Sequence, residues 1–328
     1  MRAPGDLHVL VLSQHSFHPH ILMFIPGQSE TQLDHLKSDL LEVITATLRQ
    51  HPKLRYFQGF HDIAQVVLLV LGKDRALSAI PRLSLLRLRD FMLPDFTALE
   101  VHLELLPAIL AAADPVLAHH LSHSEPHFAL AAVLTLFSHD VENYSEIARL
   151  FDFLLAEEAV LAVYLFACVI LARRDELLEV PTEDNLILSA TISKIPRPMD
   201  FEPVIQHCIE LFQANPPHKL FRRVWWRISP SSVLKTTRNA TVHDDHEAAR
   251  LFDAQLSQWA WNKRWNKRQK AALSSLWKHR RPLSGIGATI LIGLLSYWLQ
   301  KESGYSIVSN MTGQAMELGK MLMQLVQR

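Results

Sequence analysis

Apolar positions recur along most of this chain at helical spacing. Leu33, Leu36, Leu40, Leu41, Ile44 and Leu48 fall three or four residues apart and form one stripe of an amphipathic helix. Ser29-Glu30-Thr31-Gln32, immediately ahead, has the S-x-x-Q form of a capping box and predicts the start of that helix. Asp114-Pro115 reads as another start, an N-cap followed by proline at the first helical position. Residues 63–71 are apolar enough for a central, buried helix that stops at Gly72. Residues 125–137 and 158–172 are too long and too apolar for ordinary strands, and no stretch alternates with a period of two. The expected fold class is all-α.

After Trp226 the texture changes. Residues 229–250 are rich in Ser, Thr and charge, poor in apolar residues, and read as a polar linker. Residues 251–281 are expected to form a basic helix. Beyond them, Pro282–Leu299 is a run of 18 residues without a charge. As a helix that run is about 27 Å long, close to the roughly 30 Å hydrocarbon core of a bilayer. Tyr297 and Trp298 lie near one end, and Lys278, Arg280 and Arg281 flank the other. Aromatic belts and the positive-inside rule then predict one transmembrane helix at 282–300, with residues 1–281 cytosolic and 301–328 on the far side. The competing reading is a buried core helix. Against it, the run is apolar all round rather than striped.

Charge sharpens this division. The whole chain is neutral, with 33 basic and 33 acidic residues. Residues 261–281 hold eight of the Lys and Arg and no acid, which leaves residues 1–260 at a net −9. Such an acidic main body argues against nucleic acid as a partner, because phosphates require a basic face. The basic collar suits anionic membrane lipids instead. Cys168 and Cys208 lie in apolar helical patterns without C-x-x-C spacing, as buried thiols do in a reducing compartment. The apolar run Val9–Leu12 is too short for a secretory signal.

No nucleotide-binding glycine loop, zinc-protease helix or hydrolase elbow is present. His119, His120, His123 and His127 cluster, and 119/123 have a spacing that could share a metal. Ser124-Glu125-Pro126 interrupts the helix, and no clearly placed carboxylate or Cys completes a ligand set. A solvated polar corner is the alternative. The segment that stands out is Tyr56-Phe57-Gln58-Gly59-Phe60-His61-Asp62-Ile63, between a polar turn and an apolar helix. Read from the residues alone it fits two roles. Gln58 either caps a helix in a structural turn, or projects an amide whose donor and acceptor can orient a water molecule.

This segment resembles the YxQG motif of TBC domains, the GTPase-activating domains that act on Rab GTPases. Leu88-Arg89-Asp90-Phe91-Met92, Thr135-Leu136-Phe137-Ser138-His139 and Arg149–Leu155 fit the same family in order and spacing. With a C-terminal anchor, the wording is similar to the endoplasmic-reticulum-anchored subfamily. The resemblance covers roughly residues 28–220 and implies a TBC-type helical domain over 28–228. It implies a Rab-family GTPase in its GTP state as partner, in membrane trafficking on an early secretory membrane. GTP and Mg²⁺ would belong to that partner, and the chain itself would need no cofactor. Gln58 would be the glutamine finger that orients the attacking water. Tyr56, Phe57, Gly59 and Asp62 would shape the partner-facing loop, while Asp62 and Arg89 hold local structure.

The chain departs from the family at the arginine that supplies positive charge in trans. Leu12-Ser13-Gln14-His15-Ser16-Phe17 resembles the family's L-D-x-x-R-S-F element, but His15 stands nearest the arginine. Histidine is shorter, lacks the guanidinium fork and is not reliably charged near neutral pH. Residues 1–27 are therefore expected to be a truncated or diverged version of the family's start. Three readings follow: a GTPase activator, a TBC domain that binds a Rab as a scaffold without accelerating hydrolysis, and a membrane-anchored helical adaptor. Deletion of residues 282–299 should release the chain from membranes. Continued sedimentation of that variant with alkaline carbonate-washed membranes would refute the anchor.

Overall fold

In the computed structural model the described residues are 29–182, 184–236, 244–271 and 274; among them the chain is helical, with no strand. The first helix, α1 (Glu30–Gln50), begins where the sequence places it. Ser29 Oγ accepts from Gln32 N, and the Gln32 side chain accepts from Ser29 N, so both halves of the capping box are made. Next come α2 (Phe60–Leu71) and α3 (Lys73–Leu83), which runs into a wider π-helical turn at Ser84–Leu88. Gly72 lies between them with φ +74°, and this left-handed backbone ends α2. Then follow α4 (Thr97–Leu103), α5 (Leu105–Ala113) and α6 (Pro115–His120). Asp114 caps α6 by accepting from Val116 N and Leu117 N, with Pro115 at the first position.

After a 3₁₀ turn at Pro126–Ala129 come α7 (Leu130–Leu134), α8 (Tyr144–Ala156) and α9 (Leu161–Leu171). The chain continues through α10 (Arg174–Glu179), α11 (Asn185–Ser193), α12 (Phe201–Ala214), α13 (Val224–Arg227) and α14 (Val233–Thr236). The most enclosed helix is α9, whose residues Leu161 to Ile170 are all buried. A helix apolar on every face has to be covered on every side, and α9 packs against α12, α5 and α7. Tyr164 Oη reaches the carbonyl of Asn215, which satisfies the polar end of a buried ring. The sequence places the centre at 63–71 instead. There Ile63 to Leu68 are buried, but Val70 and Leu71 are 53% and 38% exposed.

The region 229–250 corrects the sequence reading. Ser232, Val233 and Leu234 are buried, α14 lies near the start of the expected linker, and the compact unit runs to Gln258 rather than ending at 228. The cause is a carboxylate. Asp90 is fully buried and accepts from Val233 N (3.1 Å), Gln255 Nε2 (2.7 Å) and Ser232 Oγ, with His102 Nε2 at 2.9 Å. Beside it the equally buried Arg89 donates to the carbonyls of Leu85 and Ser231 and to Thr236 Oγ1. These two side chains need partners, and the polar residues of 229–236 are those partners. Burial pushes the Asp90 carboxyl up, but His102, Arg89 and Ser232 outweigh it and hold the pKa at about 2.

Residues 259–271 are helical and belong to a second compact unit. The expected segment 1–27, the transmembrane helix at 282–300, its flank Lys278, Arg280 and Arg281, and the tail 301–328 lie outside the described residues. Among the described residues no helix is long and apolar enough to cross a membrane.

Replacing Asp90 with Ala should destabilise the fold by about 3–5 kcal/mol, because several buried donors lose their acceptor. The shift of the urea midpoint measures it. The folded-state pKa lies below the ordinary value near 3.8, so the stabilisation is complete above about pH 4 and is lost as pH falls towards 2. An Asp90→Asn variant should lack that part of the acid transition.

Candidate functional site

The segment singled out by the sequence ends the connection between α1 and α2 and supplies the first turn of α2. Its path is fixed from below. Arg55 N donates to the carbonyl of Met92 (2.9 Å), and Phe60 N donates to the carbonyl of Phe57 (3.1 Å). Phe57 is buried, with its ring 5.7 Å from Phe60 and 6.0 Å, edge-on, from Phe91. Thus Phe57, Gly59 and Phe60 point inward or are covered, and among residues 56–63 Gln58 alone is exposed. Of the two roles open for Gln58, capping is not the one seen. The N-cap of α2 is Gly59, and no side chain makes a cap hydrogen bond there.

Gly59 is required on two counts. Its φ of +102° lies in the left-handed region, and a Cβ built on it would meet Thr135 Cγ2 at 2.6 Å. Thr135 is held there by its own turn: its hydroxyl donates to the Ala131 carbonyl (2.8 Å) and accepts from His139 N (3.3 Å). The turn is itself strained. Leu136 and Phe137 have φ of +50° and +67°, values that cost a side-chain-bearing residue on the order of 1–3 kcal/mol each. Burial of the Phe137 ring and its N–H bond to the Ala132 carbonyl (2.7 Å) hold that backbone in place. Two stretches matched to one family by wording, 56–63 and 135–139, are therefore in direct contact.

Behind Gln58 runs a chain of polar side chains. Tyr56 Oη lies 2.9 Å from His61 Nδ1, and His61 Nε2 lies 3.3 Å from Asp62 Oδ1. The other carboxylate oxygen of Asp62 lies 3.4 Å from His139 Nδ1. Asp62 stands in the first turn of α2, where the helix dipole favours an anion, and its side chain is 3% exposed. Burial raises the Tyr56 pKa, and the Asp62 charge adds to it, so the phenol stays protonated. Burial also raises the Asp140 carboxyl, opposed by His139 and Arg197. Arg197 pairs with Glu142 and donates to the Asp140 carbonyl, closing the far side of this polar region.

The histidines of this corner are not gathered into a ligand set. Helix α6 ends at His120, so His119 and His123 do not share a helix face, and His127 Nδ1 faces Glu125 at 3.1 Å. Among the described residues no group of three His, Cys, Asp or Glu could hold a metal ion. Cys168 and Cys208 are buried free thiols; a hydrogen bond with Cys168 and burial both raise the Cys208 pKa. What the sequence did not reveal is the polar cluster of Asp90, His102, Ser232 and Gln255. Its one visible signal was the charged pair Arg89-Asp90 inside the otherwise apolar stretch 88–93.

Residues 20–178 match the Rab-GTPase-TBC domain family. TBC1 domain family member 20 from Bos taurus is 34% identical over 201 residues, which cover 61% of this chain and 50% of that protein. Its counterpart from Homo sapiens is 33% identical over 201 residues with the same coverage, 61% and 50%. GTPase-activating protein gyp10 from Schizosaccharomyces pombe is 34% identical over 206 residues, 61% of this chain and 55% of that protein. The chain spans about half the length of the curated relatives it matches.

Gly59→Ala should cost about 2–4 kcal/mol in chemical denaturation, from left-handed strain and the clash together. Thr135→Ser removes the obstructing methyl and keeps the hydroxyl, so adding it to Gly59→Ala should recover part of the loss. Strict additivity of the two substitutions would mean that the contact is unimportant.

Proposed function

We propose that this chain, whose residues 20–178 match the Rab-GTPase-TBC domain family, accelerates GTP hydrolysis by a Rab-family GTPase, with Gln58 orienting the attacking water. The observation that carries this reading is the exposure of Gln58 on a turn whose neighbours are all held: Phe57 by aromatic packing, Gly59 by contact with Thr135, Phe60 by burial. A primary amide on such a support presents one donor group and one acceptor in a narrow range of positions. Phosphoryl transfer needs little covalent help and much positioning, so this is the kind of group a GTPase can borrow. Tyr56, Phe57, Gly59 and Asp62 shape the surface that meets the partner. GTP and Mg²⁺ come with the GTPase in its GTP state, and the chain contributes no cofactor of its own.

Residues 282–300 act as a tail anchor in this reading, with Lys278, Arg280 and Arg281 at the cytosolic face of the endoplasmic reticulum or another early secretory membrane. The anchor keeps the helical domain beside membrane-bound GTPases, which raises their effective concentration.

A second reading is favoured by one residue. His15 stands nearest the position where the family's upstream element has its arginine, and a transferred arginine is worth roughly 10³–10⁵ in rate. With histidine there, the domain binds a Rab in its GTP state and serves as a membrane-anchored scaffold.

Single-turnover GTP hydrolysis by a panel of purified Rabs separates these. Acceleration by the chain that falls on the order of 10²-fold in Gln58→Ala is the expected result. Acceleration indifferent to Gln58→Ala sinks the glutamine assignment. GTP-dependent binding without acceleration, gained on His15→Arg, supports the scaffold, and binding indifferent to nucleotide state favours a helical adaptor.

A further inference from the structure

The helical residues 259–271 hold Lys263, Arg264, Lys267, Arg268 and Lys270 and no acidic side chain, in a chain whose residues 1–260 are net negative. Every residue from 261 to 271 is exposed. Two of the exposed side chains are tryptophans: Trp261 is 58% exposed and Trp265 is 48% exposed. Their rings are stacked, with centroids 5.6 Å apart and planes 11° from parallel. A third, Trp259, has Lys263 Nζ 4.6 Å over its ring. Large aromatic surface left in water beside concentrated positive charge is unfavourable unless something apolar and anionic covers it.

Helical periodicity orders these groups. At 100° per residue, Trp261 and Trp265 point nearly the same way, and Arg264 and Arg268 flank that pair on one side. Lys263, Lys267 and Lys270 follow a separate row. An aromatic ridge with guanidinium groups beside it fits one environment closely, the boundary between lipid headgroups and acyl chains. Indole rings settle there because the ring is apolar and the N–H is polar. Guanidinium groups can engage lipid phosphate two oxygens at a time, and the lysine row adds long-range attraction to an anionic surface. Single-stranded nucleic acid shares the charge requirement but stacks its bases on open ring faces. Here Trp261 and Trp265 cover each other, and Lys263 covers Trp259.

We propose that residues 259–271 form an interfacial helix that lies in the headgroup region of an anionic bilayer, with the Trp261–Trp265 pair inserted and Arg264 and Arg268 on phosphate. This deepens the membrane location proposed above, although it does not require residues 282–300 to span the bilayer.

The test uses the full chain with vesicles of phosphatidylcholine alone or of phosphatidylcholine with phosphatidylserine. Binding is read by flotation, and depth by quenching of tryptophan fluorescence with phosphatidylcholine brominated near the carbonyl end of its acyl chains. Wild type minus Trp261→Ala/Trp265→Ala isolates the signal of the pair. Expected are tighter binding to the anionic vesicles, quenching of the difference signal that belongs to the pair, and a loss of roughly fivefold in affinity per charge removed in Arg264→Gln/Arg268→Gln. Flotation with both vesicle types but no quenching of the pair would leave an anchored chain and overturn the interfacial helix. Quenching of the pair without anionic preference overturns the phosphate contacts. Tighter binding to a single-stranded RNA homopolymer, lost in both double variants, would reassign the helix to nucleic acid. No flotation with either vesicle type overturns this inference and the anchor together, while the hydrolysis assay judges the GTPase reading separately.

Discussion

A single buried carboxylate ties together parts of this chain that lie more than a hundred residues apart. Asp90 is enclosed by protein on every side, an environment that would neutralise an unpartnered acid. It remains charged because His102, Ser232, Val233 and Gln255 converge on it and Arg89 lies beside it. The neighbouring residues of the same turn face the candidate site. Phe91 supports the ring of Phe57, and the Met92 carbonyl receives the Arg55 N–H. The turn after α3 thus grips Ser232, Val233 and Gln255 with the Asp90 side chain and holds the base of the Gln58 loop with the next two residues. Loss of that grip would release the closing segment and loosen the support under the loop.

The site is built by strain held in packing. Glycine at position 59 allows the chain to pass beneath Thr135, and Thr135 occupies that place because the backbone after it turns through two left-handed residues. Such geometry persists only where surrounding contacts over-determine it, and buried Phe137 supplies them. Rigid backbone around one exposed amide is an economical way to present a positioning group, since little conformational entropy is left to lose on meeting a partner. The polar chain from Tyr56 to His139 stiffens the same region from behind.

The two compact units differ in chemistry as well as in place along the chain. The first has an acidic excess and a core built from apolar helices, with its polar network fully enclosed. The second begins within a helix that is continuous from 245, and its helical residues 261–271 are basic, aromatic and exposed. On the proposed reading the first meets a folded partner and the second a charged surface.

Local features of this fold were legible in the sequence because their physics is local. The capping box at Ser29–Gln32, the cap at Asp114-Pro115 and the stop at Gly72 each depend on residues within four positions of one another. The candidate loop was legible for a different reason, a motif whose wording resembles a known family, and that resemblance pointed to Gln58 and Gly59 and to the stretch 135–139 without showing that the two stretches touch. Residues 229–236 were misread because composition reports only that they are polar. Whether a Ser-rich stretch dissolves in water or folds inward depends on what waits inside, and here that was Asp90 and Arg89. The same limit hid the need for Gly59, since a methyl group 76 positions away in sequence sets it. Hydrogen bonds between neighbours are written in the order of residues, whereas the satisfaction of a buried charge is settled only when distant segments meet.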